Sequence, residues 1–311
     1  MTGLIIRNTG SWYDVRTDDG QLFACKVKGN FRLRGIRSTN PVAVGDRVEL
    51  RPLAESGTAL ITEICDRRNY IIRRASNLSK QSHIIAANVD VAAIVVTIVH
   101  PATSTTFIDR FIASAEAYRV PVYLIFNKTD LYDASAEALR QELTSLYSGL
   151  GYECFGVSAA TGSGIGTLRS ALAGRVTLFS GNSGVGKSTL LNILVPEARV
   201  KTAELSTAHD QGQHTTTFSQ LYDLAGGGAI IDTPGIRGFG TFDFAAGEVS
   251  HFFREIFAAS ASCRFGNCTH THEPGCAVMT ALGNREIAES RYRSYLSIME
   301  DKDESKYREK F

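Results

Sequence analysis

Residues Arg175–Leu191 read RVTLFSGNSGVGKSTLL: an apolar, β-branched run, a glycine-rich loop, and then Lys187-Ser188-Thr189 opening a helix. Gly181, Gly186, Lys187 and Ser188 satisfy Gly-x-x-x-x-Gly-Lys-[Ser/Thr] at the required spacing, between a predicted strand and a predicted helix. Glycines at 181, 184 and 186 let successive backbone N–H groups and the helix N-terminus point at a polyphosphate, which a Cβ would obstruct. Gly181, Asn182, Ser183, Gly184, Val185, Gly186, Lys187, Ser188 and Thr189 are therefore expected to cradle a nucleotide. Lys187 supplies a point charge for the β/γ-phosphates, and the Ser188 hydroxyl is placed to ligate Mg²⁺.

Upstream of this loop the chain alternates strand and helix. Val89–Val99 is a run suited to a strand buried on both faces, Thr106–Tyr118 reads as a helix, and Val120–Phe126 is a second buried strand. Leu139, Leu143 and Leu146 line one helical face, Tyr152–Val157 is a third strand, and Thr167–Ala173 is helical. This alternation predicts a parallel sheet with helices on both faces.

Asn127-Lys128-Thr129-Asp130 stands at the end of the second of these strands and matches the Asn-Lys-x-Asp signature of GTPases. The Asp130 carboxylate suits guanine N1 and N2, Asn127 helps read O6, and adenine, with the opposite donor pattern, would leave a buried carboxylate unpaired. Ser158-Ala159, after the next strand, is the companion loop that meets the base through its backbone. Beyond the cradle comes Asp232-Thr233-Pro234-Gly235, with Asp232 placed to hold Mg²⁺ through water and Gly235 to meet the γ-phosphate. The base-reading parts precede the phosphate loop, whereas most GTPases have the reverse order. This is the order of a circularly permuted GTPase domain.

Short alternating segments fill the first 70 residues: Tyr13 and Val15; Phe23, Cys25 and Val27; Val48 and Leu50; Leu60, Thr62 and Ile64. Turn signals separate them at the spacing of a small β-barrel. Residues 1–75 carry thirteen Lys/Arg against eight Asp/Glu, and Lys26, Lys28, Arg32, Arg34 and Arg37 fall in one stretch free of acidic residues. A barrel with a basic loop fits an OB-fold that binds RNA. Over the whole 311-residue chain the net charge is only +1, so the basic character is local. No apolar run reaches membrane-spanning length, and MTGLIIRN lacks the core of a signal peptide, so a cytoplasmic protein with no membrane partner is expected.

Three of the six cysteines crowd into Cys263–Cys276. Cys263, Cys268, His270 and Cys276 form Cys-x4-Cys-x-His-x5-Cys, the ligand set of a closed, structural Zn²⁺ site. His272 competes with His270 on spacing alone. Residues 246–259 and Asn284–Met299 read as helical, and Glu300–Lys310 as a charged tail. The expected division is 1–72 (OB-fold, RNA-binding), 73–240 (permuted GTPase) and 241–311 (helical zinc domain).

Taken together, these motifs resemble the RsgA family (YjeQ/YloQ) of small-ribosomal-subunit-dependent, circularly permuted GTPases, and the resemblance extends over essentially the whole chain. It implies GTP hydrolysis that times binding to, and release from, the small subunit late in its maturation, with rRNA as a partner and one Zn²⁺ plus Mg²⁺ as cofactors. It also favours His270 over His272. The family's Gly-x-His-Thr-Thr-Thr switch motif stands here as Gly212-Gln213-His214-Thr215-Thr216-Thr217, with glutamine where members often carry arginine. Ras-like enzymes orient the attacking water with a glutamine after Asp-x-x-Gly, but Ile236 occupies that position and has no donor or acceptor. His214 is the candidate in its place. Thr216 is the expected switch ligand of Mg²⁺, although spacing does not separate it from Thr215 and Thr217. Asp232–Gly240 leads straight into the C-terminal region, which suggests a route from nucleotide state to the zinc domain. A monomer is expected. Two rival readings are a GTP-regulated RNA-binding switch or chaperone with incidental hydrolysis, and a P-loop ATPase; Asn127 and Asp130 argue against ATP.

Overall fold

The computed structural model describes residues 1–27, 42–53, 57–74, 82–200, 219–233 and 246–300. Five short strands come first: β1 (Thr2–Asn8), β2 (Tyr13–Thr17), β3 (Leu22–Val27), β4 (Arg47–Pro52) and β5 (Thr58–Ile64). They pair in the order β1-β2-β3-β5-β4, and β4 returns to β1 through Thr2↔Glu49 and Leu4↔Arg47, which closes a barrel. The β3–β5 contact is parallel, and the others are antiparallel. Tyr13, Val15, Cys25, Val48 and Ile61 point inward and are buried, as the alternation predicts. The expected OB-type barrel is therefore present. Lys26 lies on β3, whereas Lys28, Arg32, Arg34 and Arg37 fall outside the described residues.

The next element is a hairpin that the sequence does not announce. β6 (Tyr70–Arg74) pairs antiparallel with β7 (Ser82–Ala87), so a two-stranded ribbon straddles residue 72, where Arg73-Arg74 reads only as a change of pattern. The ribbon is tied to the barrel: the Ala87 N–H donates to the Val44 carbonyl at 3.0 Å and Asn88 Nδ2 to the Gly45 carbonyl at 2.9 Å.

The central body is an open sheet. Its strands are β8 (Val91–Val96), β9 (Val122–Phe126), β10 (Glu153–Gly156), β11 (Val176–Gly181), β12 (Gln220–Asp223) and β13 (Ala229–Asp232). They run β10-β9-β8-β11-β13-β12, parallel except for the antiparallel β12. β8 and β9 are buried along their whole length. Their side chains split by parity: Ala92, Ile94, Val96, Val122 and Leu124 share a core with α1 (Thr105–Ala117) and α2 (Ala134–Gly149). Val91, Ala93, Val95, Tyr123 and Ile125 share another with α3 (Ile165–Leu172) and α4 (Lys187–Leu194). Helices thus cover both faces, as parallel strands require. On α2 the buried face runs through Ala136, Leu143 and Tyr147, while Leu139 is exposed and Leu146 only half-buried, so the predicted leucine stripe is rotated. The rotation brings the Tyr147 hydroxyl to Asp109 of α1 at 2.8 Å.

β12 also pairs with β1 of the barrel, at Arg7↔Gln220, and the Asn8 N–H donates to the Ser219 carbonyl at 3.1 Å. The barrel and the open sheet therefore form one continuous hydrogen-bonded sheet of eleven strands.

The C-terminal region begins with a 3₁₀ segment (Ala246–Phe252), followed by α5 (Arg254–Ser260), α6 (Ala277–Gly283) and α7 (Glu289–Glu300). It rests on α1 and α2. Arg291 of α7 is fully buried between Asp109 (2.7 Å) and Glu255 of α5 (2.6 Å), with its guanidinium 4.5 Å from the Phe253 ring centroid. Arg110 donates to Ser297 Oγ at 2.9 Å. Arg254 donates to Glu116 at 2.8 Å and to the Leu150 carbonyl at 2.9 Å, and it stacks on Tyr152. The expected route from switch II to this region passes through residues 234–245, which lie outside the described residues. Among the described residues no helix is long and apolar enough to cross a membrane.

Candidate nucleotide and metal sites

Parallel strands bring the loops at their carboxyl ends to one edge of the sheet, where open α/β sheets bind ligands. Register sets this edge: Gly181 of β11 lies opposite Val95 of β8, and Phe179 opposite Asp232 of β13. The loops after β9 and β10 emerge at the same edge, carrying Asn127–Asp130 and Ser158-Ala159. Segments that are scattered along the chain therefore meet.

Two glycines of the phosphate loop are dictated by close approach. A Cβ on Gly181 would sit 2.6 Å from the Val95 carbonyl oxygen. Gly186 has φ +85°, and a Cβ there would lie 2.4 Å from Asn127 Nδ2. The loop then opens α4, with Val185 buried, Asn182 and Ser188 half-buried, and Ser183 and Thr189 exposed. Lys187 Nζ, largely buried, contacts the Asp232 carboxylate and donates to the Thr233 carbonyl at 3.2 Å. The next turn is pinned by the Thr233 hydroxyl, which donates to the Phe179 carbonyl at 3.3 Å.

Asn127 is fully buried and joins two loops. Its Nδ2 donates to the Val185 carbonyl at 2.8 Å, and its Oδ1 accepts the Ala159 N–H at 3.1 Å. The amide oxygen and one N–H are thus engaged within the protein, leaving the second N–H for a ligand acceptor. Asp130 accepts from the Ser158 hydroxyl and is exposed, not buried as expected from the sequence. Lys128, in the left-handed region at φ +63°, lays its stem toward Gly186 and donates from Nζ to the His100 carbonyl at 2.5 Å.

Sequence reading missed the wall formed by residues 97–104 and Tyr132. The Tyr132 hydroxyl accepts the Ile98 N–H at 3.0 Å and donates to the Asn127 carbonyl at 2.6 Å. Burial pushes the Tyr132 phenol up, so it keeps the proton it donates. No local motif marks this tyrosine; its role depends on contacts made only after folding. His214, Thr215, Thr216, Thr217, Gly235 and Ile236 lie outside the described residues.

In the C-terminal region Cys263, Cys268, His270 and Cys276 bring their ligand atoms within 4.8 Å of one another. Cys263 and Cys276 Sγ are 3.9 Å apart, and His270 Nδ1 lies 3.6 and 3.7 Å from them. A tetrahedron with metal–sulfur bonds of about 2.3 Å has edges of about 3.8 Å, so the spacing fits a metal ion. Burial and the neighbouring sulfurs push the Cys268 thiol up to about 12, and burial lowers His270 toward the neutral ring that ligation needs. A cation at the centre would offset the repulsion among thiolates. The Tyr292 hydroxyl donates to the His270 carbonyl at 2.7 Å, and Glu273 accepts the N–H groups of Thr269, Thr271 and His272. His272 itself is exposed beside Thr271 and stands apart from the cluster.

The family model described as RsgA GTPase matches residues 64–242, and that of the RsgA N-terminal domain matches residues 2–61. The chain is 64% identical to the small ribosomal subunit biogenesis GTPase RsgA of Bacteroides fragilis over 99% of both chains. It is 59% identical to the protein of the same name from Porphyromonas gingivalis over the full length of each. Among solved structures it is similar to YjeQ from Thermotoga maritima (35% identity, TM-score 0.75, 96% of this chain and 97% of that one). It is also similar to YloQ, described as a circularly permuted GTPase (27% identity, TM-score 0.72, 100% of this chain and 96% of that one).

Proposed function

Because this chain belongs to the RsgA GTPase family, we propose that it hydrolyses GTP to time its binding to and release from the small ribosomal subunit during late maturation. The observation that carries this reading is the meeting of Asn127–Asp130, Ser158-Ala159, the 181–189 loop and Asp232 along one sheet edge, in permuted chain order. Asp130 and the free N–H of Asn127 would read guanine, with the Ala159 backbone beside them. Successive N–H groups of the loop and Lys187 would hold the phosphates. Ser188, Thr216 and Asp232 would hold Mg²⁺, which when bound neutralises charge on the β- and γ-phosphates. Gly235 would meet the γ-phosphate, and His214 would orient the attacking water where Ile236 has no polar group.

The Cys263, Cys268, His270 and Cys276 cluster has the donor set of structural Zn²⁺, with no position left open for chemistry. Residues 1–72, 73–240 and 241–311 would act as RNA-gripping barrel, GTPase body and zinc domain. Lys26, Lys28, Arg32, Arg34 and Arg37 would neutralise rRNA phosphates. The protein would work in the cytoplasm as a monomer. Steady-state GTP and ATP hydrolysis with and without purified small subunits, beside His214→Ala, tests the reading. GTP-selective stimulation that the variant loses is expected. Hydrolysis indifferent to small subunits would refute the partner, and stimulation persisting in the variant would refute the role of His214.

A further inference from the structure

The outer surface of the barrel carries an aromatic group that the GTPase chemistry does not use. Tyr13 of β2 pairs with Cys25 of β3, so the next antiparallel step sets Trp12 opposite Lys26. Tyr13 and Cys25 are buried, and by alternation Trp12 and Lys26 face outward on the same side. Lys26 Nζ lies 4.4 Å from the indole centroid, yet Trp12, the sole tryptophan of the chain, is 39% exposed. The turn that carries it is fixed through its backbone: the Thr9 N–H donates to the Trp12 carbonyl at 2.9 Å, and Asn8 pairs with Tyr13 across the turn. A part-exposed indole with an ammonium over one face has the chemistry to receive a nucleobase on the other face and the adjoining phosphate at the ammonium. The lysine also begins the basic stretch that continues with Lys28, Arg32, Arg34 and Arg37.

We propose that Trp12 and Lys26 form a stacking platform for an unpaired RNA base. This proposal rests on the reading of the barrel as RNA-binding and assigns the sequence-tolerant contact within it. The platform takes single-stranded RNA in preference to duplex, because bases in a helix keep their faces covered. Lys26 sets part of the salt dependence, and Trp12 the stacking.

A single tryptophan makes the test direct. Intrinsic fluorescence of the full-length protein should be quenched, saturably, by single-stranded oligoadenylate, and neither by blunt duplex RNA nor by heparin at matched charge. Anisotropy of labelled oligoadenylate should show Trp12→Ala weakening affinity roughly tenfold, with Trp12→Phe recovering most of it. Lys26→Met should reduce the slope of log affinity against log salt by about 0.7. Intrinsic GTP hydrolysis, unchanged in Trp12→Ala and Trp12→Phe, reports that the fold is intact. No quenching by oligoadenylate, or equal quenching by heparin or duplex, overturns the platform. Stimulation of wild-type hydrolysis by small subunits, measured in parallel, separates the two readings: a missing platform with stimulation intact leaves the proposed function standing. Missing stimulation with oligoadenylate quenching intact overturns the ribosomal partner alone.

Discussion

Replacing Asn127 with alanine would remove the brace between the phosphate loop and the 158–159 loop. The Val185 carbonyl and the Ala159 N–H would each lose a partner in a site without solvent access to Asn127. An unsatisfied buried group costs about 1–3 kcal/mol, so the two together would weaken the site by about 2–6 kcal/mol before any ligand is considered. Asn127→Asp should be at least as costly, because it sets a carboxylate oxygen against the Val185 carbonyl where Nδ2 now donates. Hydrogen exchange resolves the effect locally, since the Ala159 amide reports the bond to Oδ1. Its exchange in ligand-free Asn127→Ala should accelerate at least about tenfold, the equivalent of about 1.4 kcal/mol. GDP affinity, followed with a fluorescent analogue, should fall in step. A variant that binds GDP weakly while Ala159 exchange and thermal stability stay at wild-type values would refute the brace and leave Asn127 as a base contact alone.

The buried cluster of Asp109, Glu255 and Arg291 holds one cation between two carboxylates. Arg291→Met should therefore cost about 3–5 kcal/mol in denaturant unfolding, whereas Asp109→Asn, which leaves a balanced Arg291–Glu255 pair, should cost much less. Burial pushes the Asp109 carboxyl above its ordinary range despite the opposing Arg291. Its stabilising contribution is thus full below the unfolded-state value of about 3.9 and declines as pH rises through the folded one. The stability deficit of Asp109→Asn should accordingly shrink as pH rises above about 4; a deficit that grows would reverse the sign. For the C-terminal cluster, metal analysis should find about one zinc per chain and Cys276→Ser should lose it. The variant should also lose hydrogen-exchange protection across α6, and a metal-free wild-type protein with unchanged protection would dismiss the site.

Much of this molecule was legible because its chemistry is written in short spacings. The phosphate loop, Asn127–Asp130, Asp232 and the cysteine cluster each declare themselves within a few residues, and the chain order of the first three reveals the permutation. The role of Asn127 within the protein was not legible, because its partner at Val185 lies 58 positions away. The β6–β7 ribbon was hidden because Arg73-Arg74 reads as a break, whereas the strand continues through it. α6 escaped notice since it has seven residues and comes after Cys276 without a side-chain cap. A helix expected from Asn284 starts at Glu289, because Asn284 and Arg285 close α6, the latter at φ +63°. Arg291 sits in the charged sequence of α7, and only the tertiary fold shows that this position is interior.

The junction of β12 with β1 also bears on solubility. An open sheet ends in unpaired backbone groups, and a bare edge is a template for pairing with another molecule. β1 of the barrel pairs with β12 at Arg7↔Gln220, and Arg16 of β2 bridges to Asp223 at the other end of β12, so the barrel screens that template. At the opposite edge β10 is only four residues long and bears the exposed Glu153. One end of the sheet is covered by folded neighbour and the other is kept short and charged, so the body that binds nucleotide offers little foothold for edge-to-edge aggregation.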